Sequence, residues 1–310
     1  MKLCKVGGVI AAASRKDAQP MMKIGSIPVI KRIVISFRQA GIFPIVVVTG
    51  HEEDEVKYQL SNHGVVFIHN EEYEAPPLFD SVKIGLTYLQ DKCDKMVFVP
   101  VNVPMFSPVT LRTLLNVKGD IVTPSYHNRG GHPVVLSSDA VPDIMEYSGD
   151  RGLRGAIEAM KDRRIRVAVE DAGILYSAHH PEELQQHVEK HNQELLHPFL
   201  RISLEKEALF FDDRTKLLLF LIYDTKSVRQ ACNKMALSYG KAWDMLNKLE
   251  EEIAFPVIER RHGGNKGGRT DLTEQGIELL MAYQEFENNV FQYTHNEFQR
   301  LFQENKLIKM

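Results

Sequence analysis

Between Lys226 and Arg269 the chain carries nine lysines and arginines against five acids, a local excess of +4 inside a protein of formal charge -3. Four of these cations, Arg260, Arg261, Lys266 and Arg269, fall within ten residues that contain no acid. Interleaved with them are Gly263, Gly264, Asn265, Gly267 and Gly268. A Gly-rich basic hairpin tip can lay its backbone close to a phosphate chain and neutralise it. That neutralisation supplies most non-specific affinity for nucleic acid and makes it fall with salt. Just upstream, Ser227 and Ser238 are of the type that caps helix N-termini. After Ser238, one helical face collects Tyr239, Ala242, Trp243, Leu246, Leu249 and Ile253, and the other Lys241, Asp244, Asn247 and Lys248. Trp243, on the apolar face, reads as core packing. The spacing leaves Lys241 free to meet a base or a phosphate. His180, His187 and His191 (with His179 adjacent) stand near one face at i, i+7 and i+11. A metal is conceivable there, but a polar helix carries histidines in the same pattern, so no metal ligand is assigned.

The elements that must position these residues come in two kinds. Val6–Ala11, Pro44–Val48, Val65–Ile68, Met96–Val101, Asp120–Thr123, Pro133–Leu136 and Ile165–Val169 read as buried strands. Helical patterns at Ile30–Ala40, Asp54–Asn62 and Ser81–Leu89 lie between the early ones, which predicts an α/β domain with a doubly wound, mostly parallel sheet. Ligands of such sheets bind beyond the carboxyl ends of the strands. From about Glu182 the alternation stops and helices dominate, with strand character only on either side of the Gly-rich turn, at Val257–Arg260 and Arg269–Leu272. The expected organisation is residues 1–190 as the α/β domain, 191–205 as a linker and 206–310 as a mainly helical domain. Asp213–Tyr223 is predicted as an apolar helix, and Ser227–Met235, a turn at Ala236-Leu237 and Tyr239–Ile253 form a helix–turn–helix. A long terminal helix over Glu274–Phe302 carries more aromatic residues than one small domain can cover, which predicts a homodimer.

Composition agrees with a folded chain of about two domains: 310 residues, 44% hydrophobic and 25% charged. Three scattered cysteines, Cys4, Cys93 and Cys232, exclude a disulfide scaffold and a structural zinc site, and suit a cytoplasmic location. No apolar run approaches the roughly 20 residues that span a bilayer, so no membrane partner is expected.

The stretch SVRQACNKMALSYGKAWDMLNKLEEEIAFPVIERRHGGNKGGRTDLTEQG resembles the DNA-binding domain of ModE-type molybdate regulators, related to the LysR-type winged helix. The resemblance is carried by SYGKAWD, PVIER, GGNKGG and LTEQG. It implies double-stranded DNA as a partner, contacted by Ser238, Tyr239, Lys241, Lys248, Arg260, Arg261, Lys266 and Arg269.

Residues 5–183 resemble MobA-like molybdenum-cofactor nucleotidyltransferases through five consecutive blocks: the opening GVIAAASRKDAQPMMKIGSIPVIKRI, HNEEYEAPPLFDSVKIGL, FVPVNVPMFSPVTLRTLL, TPSYHNRGGHPVVL and GDRGLRGAI. That family joins a nucleotide from CTP or GTP to molybdopterin with Mg²⁺ held by aspartates. The chemistry asks for a Gly-rich phosphate loop, a cation and metal-holding carboxylates. Here AAASRKDAQP has no glycine, and Gln19 stands at the family's lysine, with Lys16 and Lys23 nearby. Asn102 stands at a metal-binding aspartate, and Ser177 and His179 replace two more. The resemblance implies a ligand pocket from Ser14, Gln19, Asn70, Ser81, Asn102, Gly131, His132 and Asp150. Asp150 could equally cap the helix it precedes, and His132 could be a structural turn residue.

The expected function is a transcriptional regulator whose nucleotidyltransferase-like domain senses a small molecule of the nucleotide or pterin class. The alternative is a divergent Mg²⁺-dependent transferase, using CTP or GTP and molybdopterin, that also binds DNA. In that case Lys23 and Asp150 would be catalytic, and Asn102 and Asp150 would hold the metal.

Overall fold

The computed structural model describes residues 4–13, 19–74, 78–198, 200–261 and 269–304. They form two compact units, one of residues up to 60 and 68–196, the other mainly 197–308 with 61–67. Among the described residues no helix is long and apolar enough to cross a membrane.

The first unit opens with β1 (Cys4–Ala11), a short hairpin of β2 (Lys23–Ile24) and β3 (Ile27–Pro28), and α1 (Val29–Gln39). It continues through β4 (Ile45–Thr49), α2 (Glu53–Leu60), β5 (Val65–His69), α3 (Leu78–Leu89), β6 (Cys93–Pro100) and α4 (Pro108–Asn116). Then follow β7 (Ile121–Tyr126), β8 (Arg129–Gly130), β9 (Val134–Ser137), α5 (Val141–Glu146), α6 (Gly152–Ala159), β10 (Arg164–Ala168) and α7 (Pro181–Glu194). The main sheet runs β10-β7-β9-β6-β1-β4-β5, with β8 on β7. β1 is parallel to both β4 and β6, whereas β9 runs antiparallel between β6 and β7. All five residues of β4 and the last five of β1 are buried, because helices cover both faces; hence their unbroken Val/Ile runs. From β1 the chain winds outward to β4 and β5, then returns to the other side of β1 as β6. The direction of winding therefore switches between β1 and β6, and the crevice beyond Ala11 and Pro100 is where this topology places a ligand.

Two expectations change here. β10 was expected to be buried, but it is the sheet's last strand and half of it faces solvent, with Arg164 and Arg166 along it. Charged side chains blunt an edge that would otherwise invite strand pairing. α7 also continues to Glu194, so the first four residues of the expected linker are helical.

The second unit contains β11 (Leu204–Glu205), β12 (Leu209–Phe211), α8 (Asp213–Thr225), α9 (Val228–Lys234), α10 (Tyr239–Ile253), β13 (Ile258–Arg261), β14 (Arg269–Leu272) and α11 (Glu274–Phe298), whose end widens into a π-helical turn at Gln299–Gln303. The β11–β12 ribbon corrects the expectation that strands flank only the Gly-rich turn. Every residue from Thr215 to Ile222 is buried, because α8 is enclosed on all sides, which accounts for the run KLLLFLI. Caps set the helix starts. Asp212 accepts from the Arg214 and Thr215 amides, Ser227 from Gln230, Ser238 from Lys241 and Thr273 from Gly276.

Candidate nucleic-acid interface and ligand site

In the second unit, α9 and α10 are separated only by Met235–Ser238, and the β13–β14 ribbon follows with Ile258 opposite Leu272 and Arg261 opposite Arg269. Ala242, Leu246 and Leu249 bury the inner stripe of α10, which leaves Lys241, Asp244 and Asn247 exposed. Lys241, Lys248 and Arg214 line, with Asp212, Phe210 and Met245, a groove of about 220 Å³. Ser238 is spent on the cap, 3.4 Å from the Lys241 amide. The side chains of Arg261 and Lys266 lie outside the described residues.

Trp243 departs from its expected core role. It lies at the margin of the buried stripe, half-buried, with the Arg260 guanidinium 3.8 Å above its ring centre. Tyr239, one turn earlier, meets Trp243 edge-on at 5.9 Å and carries the Arg229 guanidinium 5.4 Å above its own ring. Arg229 was missed because nothing in the spacing joins α9 to the exposed aromatics of α10. The i, i+4 pair Tyr239/Trp243 was the available signal. Arg269 is also less free than its sequence neighbourhood suggested. Asp271 accepts two hydrogen bonds from it, at 2.7 and 2.9 Å, and lies 3.4 Å from Lys226. These cations hold the Asp271 carboxyl below the usual range, Arg269 foremost.

In the first unit, Val101 and Asn102 continue from the end of β6 into the crevice. The segment after Asp171 crosses this end of the sheet: the His132 amide donates to Ile174, and the Ala178 amide donates to the Asn102 carbonyl. Gly131 is required where it stands, since a Cβ there would lie 2.3 Å from the Ile174 carbonyl oxygen. This crossing brings Asn102 to His179, whose Nε2 is 3.0 Å from the Asn102 amide nitrogen, and the Ser177 hydroxyl accepts from the His179 amide. With the amide nitrogen as donor, His179 Nε2 is the acceptor. Asn102 Oδ1 is buried and, among the described residues, finds no hydrogen-bond donor.

The other expected pocket residues separate. Asn70 and Ser81 are buried and bonded to each other at 3.1 Å, so they brace the β5–α3 connection. α3 begins at Leu78, not at Ser81. His132 packs edge-on against Phe98, and burial depresses its pKa to about 4, so it is a neutral ring. Asp150 is exposed and does not cap; the N-cap position of α6 belongs to Arg151. Lys23 is exposed on its hairpin, and Gln19 is exposed at the far end of the loop after β1. Ser14 lies outside the described residues.

Mg²⁺ binding draws most of its strength from negatively charged oxygen ligands. An amide, a hydroxyl and an imidazole engaged with that amide do not supply them, so the donor set does not fit the ion. Among the described residues no group of three or more His, Cys, Asp or Glu side chains could hold a metal. The histidine pattern is likewise dispersed: His187 stacks on Tyr176 at 4.4 Å, and His191 is buried against Arg32.

The MobA-like NTP transferase domain model matches residues 14–165, and the C-terminal region is similar to ModE regulators. The transcriptional regulator ModE of Haemophilus influenzae is 38% identical over 92 residues, which is 30% of this chain and 34% of that protein. The molybdenum-pterin-binding protein MopB of Rhodobacter capsulatus is 37% identical over 89 residues, 29% of this chain and 33% of that one. The match thus spans about a third of the length of these relatives. Among solved structures, Rv0371c of Mycobacterium tuberculosis is similar over 60% of this chain and 100% of its own (TM-score 0.51, 18% identity). A nucleotidyl transferase of Methanothermobacter aligns over 60% and 98% (TM-score 0.52, 20% identity). At such identities the likeness is one of fold.

Proposed function

We propose that this chain, a MobA-like NTP transferase domain joined to a ModE-like region, is a DNA-binding transcriptional regulator whose first unit binds a small ligand without transferring a nucleotide. The observation that carries the reading is the capped α9–α10 pair followed directly by the β13–β14 ribbon, with Lys241 and Arg260 exposed on it. In such an arrangement the second helix enters the major groove and the ribbon lies along the backbone. Lys241, Lys248 and Arg260 are the described cations that would meet phosphates, with Tyr239 beside them. Arg261 and Lys266 extend that set by sequence. The three cysteines, all free and buried, suit the cytoplasmic setting of such a regulator. The test is a fluorescence-anisotropy titration of a mixed-sequence duplex at several salt concentrations. Binding should weaken with salt, and Lys241→Ala should reduce the slope by about one. Affinity and slope unchanged by Lys241→Ala together with Arg260→Ala would refute the interface.

For the first unit, the Asn102–His179 contact at the sheet's switch point supports a site that recognises a ligand by hydrogen bonding through an amide and an imidazole. A nucleotide or pterin offers matching donors and acceptors. Isothermal titration of the full chain with CTP, GTP and molybdopterin distinguishes them. The transferase reading is favoured by one finding, the family match over residues 14–165. It predicts pyrophosphate release from CTP or GTP in the presence of Mg²⁺ and molybdopterin, lost in Asp150→Asn. The donor set argues against it, and no release is expected.

A further inference from the structure

Arg229, Tyr239, Trp243 and Arg260 form a series in which cation and ring alternate at the ends, and it passes from α9 across α10 to β13. Both arginines are exposed, and among the described residues no carboxylate pairs with Arg260. A guanidinium lying flat on an indole keeps the N–H groups of its edge free, in a fork that matches a phosphate. The indole fixes where that fork points. Without it, an arginine on an exposed ribbon samples many rotamers, and ordering it on binding costs affinity.

Resting on the DNA-binding reading above, we propose that Trp243 is a positioning residue for DNA. Its ring holds the Arg260 guanidinium beside the exposed face of α10, so that reading helix and ribbon offer their phosphate contacts in fixed register. Tyr239 and Arg229 extend the same brace to α9. This role explains why the one tryptophan of the chain stands half-buried at the margin instead of within the buried stripe.

The test uses the full chain and a mixed-sequence duplex long enough for two half-sites. Arg260→Ala should weaken binding about three- to tenfold and reduce the salt slope by about one per site. Trp243→Leu keeps every charge yet should lose a comparable factor, whereas Trp243→Phe, which retains a flat ring, should stay near wild type. The double variant Trp243→Leu/Arg260→Ala should bind no more weakly than Arg260→Ala alone. Because Trp243 is the only fluorophore of its kind, its emission should change in Arg260→Ala before any DNA is added. Circular dichroism melts identify a Trp243→Leu chain that has lost its fold, in which case Trp243→Phe and the emission change decide. Wild-type affinity in Trp243→Leu, additive losses in the double variant, or emission indifferent to Arg260→Ala would overturn the positioning role alone. Failure of the wild-type chain to bind duplex at low salt would overturn the regulator reading, and this role with it.

Discussion

Lys216 is the clearest case of one side chain constraining a whole element. It is buried in α8, 2.6 Å from Glu287 of α11, with Asp213 at 3.8 Å and the Tyr283 ring 6.0 Å away. Burial pushes the Glu287 carboxyl up, and the Lys216 charge opposes that push. Removing one member of a buried pair leaves an uncompensated charge, so Lys216→Met should lower stability by about 3–5 kcal/mol. Lys216→Met/Glu287→Leu should recover most of it, and denaturant unfolding of the two variants measures both. Nothing in the sequence links Lys216 to a residue 71 positions on, and as part of an apolar helical run it reads as a stray cation. Asp271 poses the opposite problem. It lies two residues after Arg269, and a count ending at Arg269 leaves its charge out. In Asp271→Asn, Arg269 and Lys226 lose their shared acid and become available to phosphate. The variant should therefore bind mixed-sequence DNA more tightly at low salt, with a slope steeper by about one to two, in the same anisotropy titration.

At the scale of elements, what was legible depended on whether the cause was local. The caps at Ser227 and Ser238 and the span of α10 follow from side chains within three residues of each boundary, and the unbroken Val/Ile runs follow from burial on two faces. The β11–β12 ribbon and the end of α7 do not, because distant residues hold them. Arg32 of α1 is wholly buried, yet the partners it shows are neutral: the Ile24 carbonyl, Asn192 at 2.8 Å and His191 Nδ1 at 3.1 Å. His191 Nε2 in turn lies 3.3 Å from the Phe106 carbonyl. Nδ1 must accept from Arg32 and Nε2 must donate to Phe106, so the ring is neutral and its tautomer is set. Both ring nitrogens are thereby engaged, and no metal ligand is assigned here. Burial, and then the Arg32 charge, depress its pKa from 6.5 to about 4. The unfolded chain therefore binds this proton first as pH falls, and the stability tied to a neutral His191 is full above pH 6.5 and drains away toward pH 4. The shift corresponds to about 3 kcal/mol. In His191→Gln the amide can accept and donate in the same two directions but cannot titrate. Its unfolding free energy, compared at pH 7 and pH 4.5, should fall less than that of wild type. An equal fall in both proteins would remove His191 as the cause.

For the whole molecule, the net charge of -3 averages the +4 segment Lys226–Arg269 with an acid-rich remainder, and only the local excess bears on DNA. The crevice between β1 and β6 was legible as a location, because topology follows from strand order. Its contents were legible only as substitutions, and the Asn102–His179 bond needed the chain to cross from Ile174 to Ala178. The terminal helix raises the last question of scale. Phe286 and Tyr293 stand seven residues apart on one side of α11, 49% and 68% exposed, while Tyr283 and Leu280 are buried against the rest of the unit. An aromatic stripe left over after the unit's own core is filled predicts a second copy; isologous pairing of this stripe would give a dimer, and on the DNA-binding reading proposed above its two α10 helices would address paired half-sites. Phe286→Glu/Tyr293→Glu changes only exposed positions, so it should leave thermal stability nearly untouched while sedimentation velocity shows a monomer. The DNA consequence separates assembly from contact. A duplex with one half-site should bind the variant as well as wild type, because every cation of α10 and β13 is intact. A duplex with two half-sites should lose the gain that linkage of two readers provides, about 10²-fold or more. If wild type itself sediments as a monomer, or if the variant weakens on the single half-site too, α11 does not pair the readers and the stripe has another role.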